Sequence, residues 1–227
     1  MKVVQLDAVV VLSGGQDSAL CLKLACDRYG ADRVGAITFN YGQRHAIETQ
    51  YAKRLVKFMG VKHHKIIKID FYNQLTTNAL LDPKKLIHKR KGASPTTVVE
   101  GRNAFFLLTA GIWAKSVGAK KVYTGVSQAD YSGYPDCRAV FIKAQQKMMR
   151  LAMEWDFEIV TPFMKMSKAQ EWALADRLGM LEYIREKTVT CYRGVPGDGC
   201  GTCPACQLRA RGLKDYLSQK EKKKAEK

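Results

Sequence analysis

Short apolar runs alternate along this chain with longer stretches in which apolar residues return every three or four positions. The first kind predicts buried strands at Asp7 to Leu12, Val34 to Asn40, His64 to Asp70, Lys121 to Val126 and Phe157 to Thr161. The second predicts helices at Ala19 to Tyr29, Ala46 to Met59, Arg102 to Val117, Ala139 to Met153 and Lys168 to Leu178, with Gly30, Gly60 and Gly179 placed to end three of them. From Phe71 to Val99 the pattern weakens: a short helix is expected around Gln74 to Leu81, then a mobile loop over 82–99. Regular alternation of this kind is the signature of βαβ units. The expected fold class is α/β, a three-layer arrangement around a parallel sheet of about five strands. Ligands of such sheets sit beyond the carboxyl ends of the strands, where the polar strings of this chain fall.

The first of those strings, Ser13-Gly14-Gly15-Gln16-Asp17-Ser18, separates the apolar run Ala8 to Leu12 from the first helix. Two glycines permit a sharp bend, and a helix starting behind them points unpaired N–H groups into it, which suits a phosphate. Ser13 and Ser18 can donate to phosphate oxygens, and Asp17 could hold a bridging Mg²⁺. An ordinary strand-to-helix turn with a polar cap is the plainer reading of a Gly-Gly pair. Neither G-x-x-x-x-G-K-[ST] nor G-x-G-x-x-G occurs in the chain.

Length and composition add limits. With 227 residues, 46% of them hydrophobic and 26% charged, the chain can bury one main core and a small appendage. No apolar run is long enough to span a membrane, and the chain enters its first strand almost at once; a cytoplasmic protein is expected. The net charge of +17 invites a nucleic-acid reading. Much of it, however, comes from the run Lys84 to Lys91 and from residues 214–227, where six lysines outnumber three acids. A solvated basic surface with a frayed, disordered tail is the expectation, with no dedicated nucleic-acid groove.

Four of the seven cysteines, Cys191, Cys200, Cys203 and Cys206, lie within sixteen residues. Four thiolates with glycines at 194, 197, 199 and 201 suit a tetrahedral Zn²⁺ in a small knuckle spanning 186–213, with no open position for catalysis. A ferredoxin-type cluster is the alternative, but its downstream Cys-x3 partner is lacking. Cys21, Cys26 and Cys137 are expected as reduced thiols, the first two in the core. Asp130-Tyr131-Ser132-Gly133-Tyr134-Pro135-Asp136-Cys137-Arg138 is too polar for core. It reads either as a loop whose tyrosines stack on a heterocycle while its acids accept from a guanine-like edge, or as a Gly-Pro turn with surface tyrosines. Cys137 is either a nucleophile or a plain buried thiol. Arg102-Asn103 opens a helix, where it could bind an anion or serve in a cap.

Together, the strings at 13–18, Tyr41-Gly42-Gln43-Arg44-His45, Gly101-Arg102-Asn103, 130–138 and Thr190-Cys191-Tyr192 through Cys203-Pro204-Ala205-Cys206 resemble the 7-cyano-7-deazaguanine synthases. These belong to the ATP pyrophosphatase, or PP-loop, superfamily with its adenine nucleotide alpha-hydrolase-like fold. The resemblance runs from Val9 to Leu213. It implies a ligase that joins ammonia to 7-carboxy-7-deazaguanine at the expense of ATP, for queuosine or a related deazapurine nucleoside. It implies a nucleotide site over Leu12, Ser13, Gly14, Gly15, Gln16, Asp17, Ser18, Ala19, Leu20, Cys21 and Leu22, with Tyr41 and Gly125. Ser13, Asp17, Ser18 and Arg102 carry over as catalytic. Gln43, Arg44, Arg102, Asn103, Asp130, Tyr131, Tyr134, Asp136 and Arg138 carry over as substrate-binding. The implied cofactors are ATP, Mg²⁺ and the Zn²⁺ of the four cysteines, and a homodimer is implied by the family only. The chain departs from the family pattern at Glu100, where proline is common, and at Ser127-Gln128-Ala129, where Cys-Glu-Thr is common. An amide-forming variant of the ligase and a PP-loop tRNA-modifying enzyme using Cys137 stay open as alternatives, beside a non-enzymatic zinc-knuckle nucleic-acid binder.

Overall fold

The computed structural model describes residues 4–43, 47–82, 84–87, 95–128 and 133–225, without side-chain detail at 73 and 224. Arg44 and His45, residues 88–91 of the basic run, and Asp130 and Tyr131 of the tyrosine loop therefore lie outside the described residues.

Five parallel strands, β1 (Ala8–Val11), β2 (Val34–Asn40), β3 (His63–Lys68), β4 (Lys121–Tyr123) and β5 (Glu158–Val160), form one sheet in the order β3-β2-β1-β4-β5. The register pairs Val10 with Ala36 on one side and with Tyr123 on the other, so β1 is the central strand. Its alternation decides the layers. Val9 joins the apolar cluster with Leu107, Trp113, Ile142 and Met149, whereas Ala8 and Val10 join the cluster with Leu20, Leu55, Trp172 and Ile184. The first face is covered by α4 (Arg102–Ser116) and α5 (Ala139–Met153). The second is covered by α1 (Gln16–Tyr29), α2 (Ile47–Phe58), α6 (Lys168–Arg177) and α7 (Leu181–Lys187), with Tyr216 and Leu213 of α8 (Pro204–Ala225) packed in. The fold is thus the expected three-layer α/β, with winding that reverses between β1 and β4.

Three segments differ from expectation. The helix expected over Gln74 to Leu81 shrinks to α3 (Tyr72–Leu75), because the Asn78 side chain accepts from the N–H groups of Leu80 at 3.0 Å and Leu81 at 3.2 Å and forms a turn of its own. The helix α7, which follows Gly179, is an addition. The tail, expected to be disordered from 214 on, continues α8 as far as Ala225. Tyr216 and Lys220, four residues apart on one helical face, both bond the Asp176 carboxylate of α6 and hold the tail to the body. Among the described residues no helix is long and apolar enough to cross a membrane.

Candidate active site

β1 delivers the chain into the turn Ser13 to Ser18, which α1 closes. Gly15 is the N-cap of α1 and supplies no side-chain cap. Inside the turn the hydroxyls of Ser13 and Ser18 lie 3.1 Å apart, Ser18 donates to the Gly15 carbonyl at 3.0 Å, and the Ser13 N–H reaches Ser18 Oγ at 3.3 Å. Gly14 has φ +85°, and a Cβ there would stand 2.8 Å from the Glu48 carbonyl oxygen and 2.9 Å from the Ala52 nitrogen. A side chain at position 14 would therefore separate the turn from α2. Gly125, just beyond β4, leaves the same kind of room: its Cβ would fall 2.8 Å from that of Asp17.

The turn opens into a cavity of about 310 Å³. Leu12, Ser13, Gly15, Gln16, Asp17 and Ser18 form one wall; Tyr41, Glu48, Arg102, Asn103 and Tyr134 stand on others, with Gly125 between. Arg102, in the first turn of α4, sits over the rings of Tyr41 and Phe106 at 5.9 and 6.0 Å, and its Nη1 donates to the Tyr41 hydroxyl at 3.4 Å. Burial pushes the Tyr41 hydroxyl up to about 12, so it stays a neutral phenol. Tyr134 reaches the Tyr192 hydroxyl at 3.1 Å and Thr97 at 2.5 Å. It ties the tyrosine loop to the segment before α4 and to the cysteine knuckle.

Other residues expected at the site have different places. Ala19, Leu20, Cys21 and Leu22 are wholly buried, because the start of α1 is enclosed by the sheet on one side and by residues of α2, α6 and α7 on the others. Gln43 closes the turn after β2, accepting from the Tyr41 N–H at 2.8 Å and donating to the Phe39 carbonyl at 3.3 Å. Asp136 accepts from the Asn103 N–H at 3.0 Å and so caps α4, while Asn103 Nδ2 donates to the Asp136 carbonyl and to Cys137 Sγ, both at 3.3 Å. Arg138 is exposed and bonds the Pro135 carbonyl at 3.1 Å. Burial pushes the Cys137 thiol up to about 12, which keeps it protonated.

Two contributions are new. Lys168, at the start of α6, is buried and donates to Asp17 and Glu171, each at 2.7 Å. Asp17 is thereby oriented within the turn, and burial raises the wholly buried Glu171 carboxyl well above the usual range. The only signal in the sequence is the capping box of Ser167 and Gln170 after β5, which starts a helix at the ligand edge of the sheet. Thr190, next to the first knuckle cysteine, accepts from the Gln16 N–H at 3.3 Å, and the Val189 N–H bonds the Gly14 carbonyl at 3.0 Å. Thus the segment leading into the knuckle supports the Ser13–Ser18 turn directly. Arg209 of α8 extends that support, reaching Thr190 at 3.4 Å and the Ile184 carbonyl at 2.6 Å.

The Sγ atoms of Cys191, Cys200, Cys203 and Cys206 all lie within 4.8 Å of one another. With Zn–S bonds of about 2.3 Å, a tetrahedral site requires sulfur separations slightly under 4 Å, and this set fits a zinc ion.

The family described as Queuosine biosynthesis protein QueC matches residues 7–217 of this chain. A 7-cyano-7-deazaguanine synthase from Lysinibacillus sphaericus (strain C3-41) is 49% identical over 215 residues, 94% of this chain and 97% of that protein. Among solved structures, the NH3-dependent NAD synthetase from Campylobacter jejuni subsp. jejuni NCTC 11168, in complex with the nitrate ion, is similar with TM-score 0.46 and 17% identity over 78% of this chain and 67% of the other. A match from the first strand into the last helix makes this protein a member of the QueC family of queuosine biosynthesis proteins.

Proposed function

We propose that the chain is an ATP-dependent carbon–nitrogen ligase that makes 7-cyano-7-deazaguanine from 7-carboxy-7-deazaguanine and ammonia. The observation that carries this reading is the single cavity onto which the phosphate turn, Arg102 and Tyr134 all open. A free carboxylate is a poor electrophile, since oxide would have to leave. Adenylation by ATP converts that oxygen into part of AMP, with release of pyrophosphate. Ammonia then yields the amide, and a second adenylation at the amide oxygen allows loss of AMP to leave the nitrile. Neither step demands a redox partner or a covalent enzyme nucleophile.

The protein's task is then to position groups and stabilise charge. In this reading Ser13, Ser18 and the start of α1 hold the phosphates, while Lys168 keeps Asp17 turned toward them. Arg102 offsets charge on the substrate carboxylate and the phosphate oxygens. Tyr134 and Asn103 line the substrate's side of the cavity. Asp17 has one carboxylate oxygen committed to Lys168, so Mg²⁺ would be held chiefly by the nucleotide's own phosphates and water, as that ion prefers. Zinc at the four cysteines would brace the knuckle and with it Thr190.

The test is mass spectrometry of products after incubation with the acid, ammonium and Mg-ATP. The expected products are the nitrile, AMP and pyrophosphate. ADP and phosphate would refute the reading, and accumulation of the amide alone would identify the amide-forming variant. Sulfur transfer through Cys137 is disfavoured, because a thiol with its pKa near 12 is a poor nucleophile. Homodimer formation, carried by the family resemblance, is checked by light scattering.

A further inference from the structure

Glu48 stands in the first turn of α2 and lines the cavity, yet none of the steps above uses it. Its main chain is fixed to the phosphate turn, since its carbonyl oxygen is the atom that forbids a side chain at Gly14. The main chain is thereby held beside the Ser13–Ser18 turn, and the side chain lines the same cavity. The charged and titratable groups facing it are Arg102 from α4 and Tyr41 from the end of β2, with the Gln43 amide acting on it as well. Across the cavity stands the Asp17–Lys168 pair.

The proposed reaction contains a proton problem. At neutral pH the nitrogen donor is mostly ammonium, which has no lone pair, and attack on an acyl adenylate needs ammonia. A base must sit in the cavity, away from bulk water that would hydrolyse the adenylate. We propose that Glu48 is the general base that deprotonates ammonium in the amide-forming step; this rests on the ligase reading above. One proton passes from NH4⁺ to the Glu48 carboxylate. The freed lone pair forms the C–N bond at the adenylated carboxyl carbon, the C–O bond to AMP breaks with its electron pair, and AMP leaves. The second proton, shed from the new nitrogen, goes to water. Burial raises the Glu48 carboxyl to about 7, against the pull of Arg102 and of the Gln43 amide, which brings its basicity closer to that of ammonia than an exposed carboxylate's.

The experiment compares two nucleophiles on wild type and Glu48→Gln. Hydroxylamine is already neutral at neutral pH and traps the adenylate as a hydroxamate without a base. Wild type is expected to use both. Glu48→Gln should lose about 10²- to 10⁴-fold of its rate with ammonium while hydroxamate formation stays within the same order of magnitude. Equal loss with both nucleophiles would make Glu48 a support for Arg102 and overturn the inference, as would an unchanged ammonium rate. A second measurement needs no variant. In wild type, the ammonium rate divided by the hydroxylamine rate should level off above a pH of about 7 if Glu48 is the base. A continued rise of about tenfold per pH unit would mean that free ammonia is taken from solution, against the inference. A wild type that forms hydroxamate and AMP keeps the ligase reading whatever Glu48 does, whereas one that forms neither sinks that reading and this inference with it.

Discussion

Lys168 places one ammonium between two carboxylates, Asp17 and Glu171, in a region where only the Asp17 side chain retains appreciable exposure, 30%. Replacing it by Met leaves the acids facing each other without compensation. Loss of a buried partner of this kind costs about 3–5 kcal/mol. Lys168→Met should therefore lower the melting temperature by several degrees, which thermal melts would reveal. ATP-dependent AMP release should fall with it. Such a role is hard to read from sequence: a lysine directly after a helix cap, with polar residues nearby, has the pattern of a solvated face, and its partner Asp17 is 151 residues away. Ser13, Asp17, Ser18, Arg102 and the four cysteines, by contrast, announce themselves through local spacing. Glu48 carries a pH prediction. Its carboxyl rises from 4.5 to about 7 on folding, so the native state binds more protons than the unfolded chain between those values, and stability is lost as pH rises through them. Glu48→Gln removes that loss, so the variant should melt close to wild type near pH 4.5 and above it beyond pH 7, by about 2–4 °C for each kcal/mol gained.

The packing of α6 on α8 sets where Lys168 can be. Gly212 of α8 lies against the Cβ and carbonyl carbon of Lys168, so close that no side chain fits between the helices. The Trp172 indole donates to the Arg209 carbonyl at 3.2 Å one turn further along. Gly212→Val should force the helices apart, cost about 1–3 kcal/mol by overpacking, and weaken ATP binding in isothermal titration through a helix that never touches the nucleotide. Retained affinity together with lowered stability would confine the role of Gly212 to packing. Element by element, periodicity served well where a helix is amphipathic and bounded by its own signals: α5 spans Ala139–Met153, as its apolar spacing predicts. It failed for α8, whose lysine-rich end has little apolar face and is held by two bonds to a single distant carboxylate. The segment at 74–81 failed for another reason, since the side chain of Asn78 outcompeted the helix for backbone donors.

At the scale of the molecule, the segment into the cysteine knuckle braces the Ser13–Ser18 turn as much as the C-terminal region. Thr190 precedes Cys191 and bonds the first residue of α1, so stripping zinc should lower the melting temperature and weaken ATP binding together. Apoprotein that melts as before would refute the brace, and apoprotein that is less stable but binds ATP normally would refute its link to the turn. Truncation after Leu213, which removes the buried Tyr216, should likewise lower the melting temperature, while truncation after Glu221 should not. The overall α/β architecture is evident from sequence because five apolar runs leave little choice of layers. Which distant segments close over the first turn is decided by tertiary contacts that no local pattern encodes.

Those contacts also fix when the site can exist. The bond between Gln16 and Thr190 joins residues 174 apart, and Lys168 meets Asp17 across 151. A ribosome adding roughly 5–20 residues per second makes the phosphate turn about 9–35 s before the threonine that completes it. Through most of its own synthesis, then, the growing polypeptide carries the Ser13–Ser18 turn without its final support. On the ligase reading, full affinity for ATP should arrive only as the last segment emerges, making ligand capture a late checkpoint of biogenesis rather than an early nucleus for it.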